Sequence, residues 1–292
     1  MIRYRLALTI RYRFARPTAG PSREILRIRP ADLPGRQRVA ACSVTVEPRP
    51  AERVEFADFY GTRALALVLP AGLSDLAVTL SAEVECRDPG SALDLSPPLA
   101  GLAAELAGQT TLDATSPHHF LAPSRRVPAL PDIAEFATAA VAEAEAPTTR
   151  ATVEAVGRAL HRAMRFDAGA TTVDTPIGDA FAHRHGVCLD FAQIMIGALR
   201  SLAAYVSGYL RTRPPPGRPR LAGANAMHAW VRAWCGARAG WVDYDPTNAV
   251  FASADHVVIG HGRDYADVAP VIGALRLDGA QSGDHVVDLD VI

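Results

Sequence analysis

One cysteine, one histidine and one aspartate, in that order along the chain, have the residue types and flanking sequences for acyl chemistry. Cys188 follows Gly186-Val187, His228 lies about forty residues downstream, and Asp245 about seventeen beyond that. A thiolate is a nucleophile, an imidazole takes up its proton and passes it to a departing amine, and a carboxylate holds the imidazole in the right tautomer. The run Asp190 to Arg200 sets Phe191, Ile194, Met195, Ala198 and Leu199 on one face at helical spacing, which predicts an amphipathic helix with Cys188 at its N-terminus. Unpaired backbone N–H groups and the positive end of the helix dipole favour a thiolate there.

The other two residues need strands. Met227 to Trp234 and Gly240 to Asp245 are short, aromatic and β-branched, and joined by the turn-forming Cys235-Gly236-Ala237-Arg238-Ala239, so they read as a hairpin. Alternation puts His228 and Trp230 on one face of the first strand, and Trp241, Asp243 and Asp245 on one face of the second. Asp243 therefore competes with Asp245 for the imidazole, and the Pro246-Thr247-Asn248 context favours Asp245.

Each of these residues also has a plainer reading. A lone cysteine at a helix start is most often a small buried hydrophobe; its ordered combination with His228 and Asp245 is what shifts the balance. His183 and His185, just upstream of Cys188, read as surface or supporting groups, and His118-His119 has no third ligand nearby. Trp230 and Trp241 are most simply core; with Tyr209 they are the candidates for contacts to substrate. An oxyanion pocket needs two donors. The Cys188 backbone N–H is one, and the sequence identifies no second.

Gly186-Val187-Cys188, Asp190-Phe191-Ala192, Tyr205-Val206-Ser207-Gly208-Tyr209-Leu210, His228-Ala229-Trp230-Val231, and Gly240-Trp241-Val242 through Asp245-Pro246-Thr247-Asn248 together resemble the bacterial transglutaminase-like family, often described as cysteine proteases. Tyr4 to Phe14, Arg27-Ile28-Arg29-Pro30, Asp58-Phe59-Tyr60-Gly61 and Pro123-Ser124-Arg125 resemble that family's N-terminal domain, so the likeness covers most of the chain. The resemblance implies a papain-like core with Cys188, His228 and Asp245 in the triad positions. The chain departs from the family pattern at Leu189, Gln193 and Met227, where Gln, His and a small polar residue are usual. These departures bear on the lining and width of the substrate slot rather than on the three reactive positions.

The expected architecture is α+β: an N-terminal antiparallel β-sandwich-like domain with a linker over residues 1–125, then a transglutaminase-like α+β core over 126–292 that includes a C-terminal strand. Tyr4, Leu6, Leu8, Ile10, Tyr12 and Phe14 alternate with mostly arginine, the pattern of a half-buried strand. Ser43 to Val46 and Leu76 to Val84 read as further strands. A Pro-, Ala-, Ser- and Thr-rich stretch follows from about 96 to 130, with a short helix at Leu102 to Leu106. Ile133 to Ala144 and Val153 to Met164 are expected helices, and Val286 to Val291 a closing strand. Arg213-Pro214-Pro215-Pro216-Gly217-Arg218-Pro219 is expected to form a loop before the His228 strand. No glycine stops the helix ahead of Ala203-Ala204-Tyr205, so either that connection is very tight or residues are missing from the sequence there.

Composition narrows the function. The chain has 292 residues and a formal charge of −1, which leaves no electrostatic footprint for nucleic acid or an anionic membrane. All 30 cationic residues are arginine, so the chain has no lysine to serve as its own acyl acceptor. The four cysteines, at positions 42, 86, 188 and 235, show neither CxxC nor metal-ligand spacing, and no apolar run suits a signal peptide or a membrane span. The reading is a soluble cytoplasmic protein without cofactor or metal that acts on a peptide or protein substrate, its oligomeric state open. Hydrolysis of a peptide or amide is favoured over amine transfer. A catalytically weak peptide-binding module is the reading from another class.

Overall fold

Alternating apolar residues and arginines make the first strand long and one-sided: β1 (Ile2–Phe14) buries Tyr4, Leu6, Leu8, Ile10 and Phe14 and turns Arg3, Arg5, Arg11 and Arg13 outward. The computed structural model describes residues 1–88, 90, 93–199, 202–212, 226–274 and 279–292. The strands that follow are β2 (Ser22–Leu26), β3 (Gln37–Glu47), β4 (Glu52–Ala57), β5 (Arg63–Leu69) and β6 (Asp75–Cys86). In β6 the same period of two buries Leu76, Val78, Leu80, Ala82, Val84 and Cys86.

The central part of the chain is mostly helical. It contains α1 (Leu99–Ala107), a 3₁₀ turn (Pro117–Phe120), α2 (Pro131–Ala144), α3 (Thr149–Ala163), β7 (Arg165–Phe166), α4 (Ile177–His183), β8 (His185–Gly186) and α5 (Cys188–Ala198). A second strand-rich part then runs through β9 (Ala203–Leu210), β10 (Ala226–Trp234), β11 (Trp241–Asp245), β12 (Val250–Phe251), β13 (His256–Gly262), α6 (Tyr265–Val268), β14 (Val271–Ala274) and β15 (Gln281–Val291).

Two four-stranded antiparallel sheets, in orders β15-β1-β6-β3 and β14-β2-β5-β4, enclose one hydrophobic core that draws Leu6, Leu8, Leu80 and Val287 from the first and Leu26, Leu65, Leu67 and Leu69 from the second. The fold is α+β, with this antiparallel region packed beside a mixed α+β core. The closing strand that the sequence reading attached to that core pairs instead with β1, from Tyr4↔Val291 to Phe14↔Gln281, and β14 pairs with β2. The chain thus returns to its first sheets after building the core. A period-two pattern specifies which face of a strand is buried but not which strand lies beside it.

The core sheet has the order β12-β11-β10-β9-β13 and carries α5 against β10 and β9. Helix α5 was expected to be amphipathic, and it is buried all round: Leu189, Ala192, Gln193 and Ile196 are covered as well as Phe191, Ile194, Met195 and Ala198. A helix enclosed on every side is a core helix. The expected linker is tied down. Thr149 N–H donates to the Pro97 carbonyl at 2.8 Å and Ala237 N–H to the Glu105 carboxylate at 2.7 Å, while Leu102 and Phe120 are buried. In the connection from α5 to β9, residues 200 and 201 lie outside the described residues. Leu199 N–H closes the helix on the Met195 carbonyl at 2.9 Å, and Leu202, directly before the strand, accepts from Trp234 N–H at 2.8 Å. The proline-rich stretch 213–219 lies outside the described residues. No helix among the described residues is long and apolar enough to cross a membrane.

Candidate active site

Cys188 is the first residue of α5, and the turn around it is built by Asp190. The Asp190 carboxylate accepts Val187 N–H at 2.8 Å and the Thr171 hydroxyl at 2.5 Å, reaching back over the helix start. Gly186 leaves room for it: a Cβ there would come within 2.6 Å of Asp190 Oδ2. The Cys188 thiol is thereby set at a helix N-terminus, half-buried, while Cys86 and Cys235 are fully buried and their thiols are pushed up to about 12 by desolvation. All four cysteines are free.

His228 Nε2 meets Asp245 Oδ2 at 2.8 Å, and its ring lines the same cleft as the Cys188 thiol. With Nε2 committed to the carboxylate, Nδ1 is the ring nitrogen free to serve a group in the cleft. Burial pulls the imidazole toward neutrality, but the hydrogen bonds to Asp245 and Cys188 outweigh it and carry the pKa up to about 10. Asp245 is wholly buried and saturated with donors. Its Oδ1 accepts Thr247 N–H at 2.9 Å and Asn248 N–H at 3.2 Å; its Oδ2 accepts Asn248 Nδ2 at 2.7 Å as well as the imidazole. Burial raises this carboxyl, and the donors, His228 foremost, overcome that and hold it well below the ordinary carboxylate range.

Asp243, the rival on the same strand, is used elsewhere. It takes Arg232 Nε at 2.8 Å, Arg36 Nη1 at 2.7 Å and Trp230 Nε1 at 3.2 Å. Because Arg36 precedes β3, this buried cluster ties the β-sandwich to the core sheet. The two arginines and the indole hold Asp243 ionised against its burial.

The sequence reading missed His256. Its Nε2 lies 3.2 Å from the same Asp245 Oδ2, while its Nδ1 accepts Ser253 N–H at 3.2 Å. That acceptor role places the proton on Nε2, so His256 is a neutral donor to the carboxylate. Nothing in the flanking Ala254-Asp255-His256 pattern marks it; only the pairing of β13 with β9 brings it beside Asp245.

The three aromatics offered as substrate contacts do not line the cleft at Cys188. Trp230 is fully buried, its edge against the His256 ring at 5.2 Å. Tyr209 is fully buried in the sandwich core, where its hydroxyl donates to the Ile28 carbonyl at 2.6 Å. Trp241 packs on Phe120 at 5.3 Å and donates its indole N–H to the Thr115 carbonyl at 3.0 Å. Large aromatics on a core sheet are taken up by interfaces between layers, which the strand pattern alone does not locate.

The cleft itself has a volume of about 370 Å³ and is lined by Cys188, Leu189, Tyr205, Ser207, Met227 and His228 from the core, and by Ile10, Tyr12, Val271 and His285 from the two sandwich sheets. Leu189 and Met227, two of the departures from the family pattern, make its inner wall apolar; Gln193 lines a separate hollow beside Arg125 and Asp179. A further cavity of about 410 Å³, bounded by Phe120, Val127, Leu130 and Ile196, contains no cysteine, histidine or carboxylate. His183 is exposed with its ring on the Asp179 carbonyl, and His118 and His119 contact backbone carbonyls of the linker. Among the described residues no group of three or more His, Cys, Asp or Glu side chains could hold a metal ion.

A cysteine at the start of a buried helix, facing a histidine on an antiparallel sheet beside a β-sandwich, defines a transglutaminase-like protein. Residues 4–85 match the bacterial transglutaminase-like N-terminal region and residues 134–246 the transglutaminase-like superfamily. A protein of Mycobacterium tuberculosis described only as uncharacterized is 33% identical over 277 residues, covering 88% of this chain and 82% of that protein. One from Mycobacterium leprae is 34% identical over 255 residues, covering 85% and 83%. A solved structure described as a candidate cysteine protease from Cytophaga hutchinsonii shares the fold, with a TM-score of 0.72 at 23% identity over 100% of this chain and 91% of that one. The chain belongs to the bacterial transglutaminase-like family.

Proposed function

We propose that the protein is a cysteine-dependent acyl-transfer enzyme acting on a peptide or carboxamide, with water favoured over an amine as the acyl acceptor. The observation that supports this reading is the placement of His228: Nε2 on Asp245 at 2.8 Å, with its ring on the cleft that Cys188 also lines. In this reading the imidazole holds the thiol proton. The Cys188 sulfur attacks the carbonyl carbon, the C–N bond breaks, and His228 gives the proton to the leaving amine. Water, deprotonated by His228, then cleaves the thioester and restores the thiol. Asp245 touches no substrate; it keeps the imidazole oriented and stabilises its charged form.

A cleft of about 370 Å³ with sandwich strands along one side suits a short extended segment or a side-chain amide better than a folded protein surface. The preference for hydrolysis rests on the absence of lysine and of any calcium-loop pattern in a chain with four free cysteines. Incubation with a glutamine-containing peptide, with and without excess primary amine, tests it. The expected result is conversion of the glutamine to glutamate that added amine does not divert, ammonia having left at acylation in either case. Amine incorporation outpacing hydrolysis makes the protein a transferase, and no turnover together with an unreactive Cys188 makes it a binding module.

A further inference from the structure

Attack on a carbonyl creates an oxyanion, and two preorganised donors are needed to stabilise it. Cys188 N–H, in the first turn of α5, has no intrahelical acceptor and supplies one. The second has to be a donor beside the sulfur that opens on the cleft and is not already spent.

Tyr205 shares the cleft with Cys188. It lies on β9 within the same hydrophobic cluster that Cys188 packs against, it lines the cleft, and only 3% of its surface is exposed. Its hydroxyl makes no hydrogen bond among the described residues, whereas Tyr209, four residues along the strand, spends its own on the Ile28 carbonyl. The other cleft tyrosines are placed differently: Tyr12 comes from the sandwich, and Tyr265 lies under the Arg126 guanidinium at 5.3 Å. Burial raises the Tyr205 hydroxyl well above its ordinary range, so it stays an O–H donor throughout neutral and mildly basic pH, and among the charges it feels Cys188 is foremost.

We propose that Tyr205 Oη is the second donor of the oxyanion pocket, acting with the backbone N–H of Cys188. The proposal rests on the acyl-transfer reading of Cys188. As the carbon–sulfur bond forms, the carbonyl π pair moves onto oxygen and is held by these two donors. As the pair returns, the C–N bond breaks and His228 protonates the amine. Tyr205 keeps its proton throughout.

The test compares two reactions of Cys188 in the wild type and in Tyr205→Phe. Alkylation by iodoacetamide is a displacement at saturated carbon and needs no oxyanion pocket, while acylation by 4-nitrophenyl acetate passes through a tetrahedral oxyanion. The expected result is alkylation within about twofold of wild type and acylation slower by about 10²-fold, with thermal stability close to wild type. Equal loss in both reactions would assign Tyr205 a structural role and overturn the proposal. So would unchanged acylation in Tyr205→Phe, or a loss confined to Ser207→Ala, the neighbouring cleft hydroxyl. Failure of the wild-type Cys188 to react with either reagent would count against the acyl-transfer reading itself.

Discussion

His228 and His256 aim their Nε2 atoms at one oxygen, Asp245 Oδ2, at 2.8 and 3.2 Å. The first ring faces the cleft and the second is locked behind it by Ser253 N–H. His256 is therefore a fixed neutral donor that helps keep a buried carboxylate ionised. Replacing it with Phe removes a hydrogen bond to a charged group, and we expect a loss of about 1.5–3 kcal/mol in denaturant unfolding. His256→Gln, which retains an N–H donor, should recover part of it. Equal stability of His256→Phe and wild type would show that the 3.2 Å contact contributes nothing.

The pair Asp243 and Asp245 separates stability from turnover. Asp243→Asn leaves Arg232 and Arg36 facing a neutral group at a buried site, so the expected cost is about 3–5 kcal/mol, with turnover per folded molecule close to wild type. Asp245→Asn should lower turnover by about 10⁴-fold through loss of the imidazole's charge partner and tautomer control. Unfolding curves and active-site titration on both variants check this. The opposite assignment would place Asp243 on the imidazole.

Stability should fall with rising pH on account of His228. Its pKa is raised in the folded state from 6.5 to about 10, so its contribution is fully present below pH 6.5 and is lost as pH rises from there through about 10. The slope attributable to one such group is at most about 1.4 kcal/mol per pH unit. Asp245 acts with the other sign: its depressed pKa gives stability that is present above its ordinary 3.8 and lost as pH falls through the lower folded value. Unfolding free energies of wild type and His228→Gln across pH 6–10 should converge toward the alkaline end. Parallel curves would remove His228 from the account.

Competitive alkylation under native conditions should modify Cys188 and spare Cys86 and Cys235, which are buried and held as thiols by desolvation. The Cys188 rate near neutral pH should drop at least tenfold in His228→Gln. Mass spectrometry of the labelled peptides reads both. Label on Cys235 at the Cys188 rate would mean that this part of the core opens in solution.

Gly208 sits directly across from His228 on β9, and a Cβ there would come within 2.3 Å of the Trp230 ring and 2.4 Å of the Val257 carbonyl. Backbone cannot yield as a side-chain tip does, so Gly208→Ala should destabilise by about 1–3 kcal/mol and move His228 with its strand. Unfolding and the alkylation rate of Cys188 should both change, and a neutral result would show that β9 and β13 can part at this point.

The order Cys188, His228, Asp245, the helix after the cysteine and the hairpin carrying the other two were legible in the amino-acid sequence because each rests on local signals: periodicity, turn residues and strand composition. So was the β-rich character of the first ninety or so residues. The choice of Asp245 over Asp243 was a preference of local context and of the family resemblance, since alternation puts both on one face; Arg36, more than two hundred residues away in sequence, is what occupies Asp243. The same limit explains the misplaced aromatics, the unnoticed His256 and Tyr205, and the closing strand that pairs with β1 rather than joining the core. Local pattern specifies what a segment is and which side it buries. Which distant segment covers that side, and which polar group is left facing an open cleft, depends on contacts between residues far apart in the chain, and these exist only once the layers have packed.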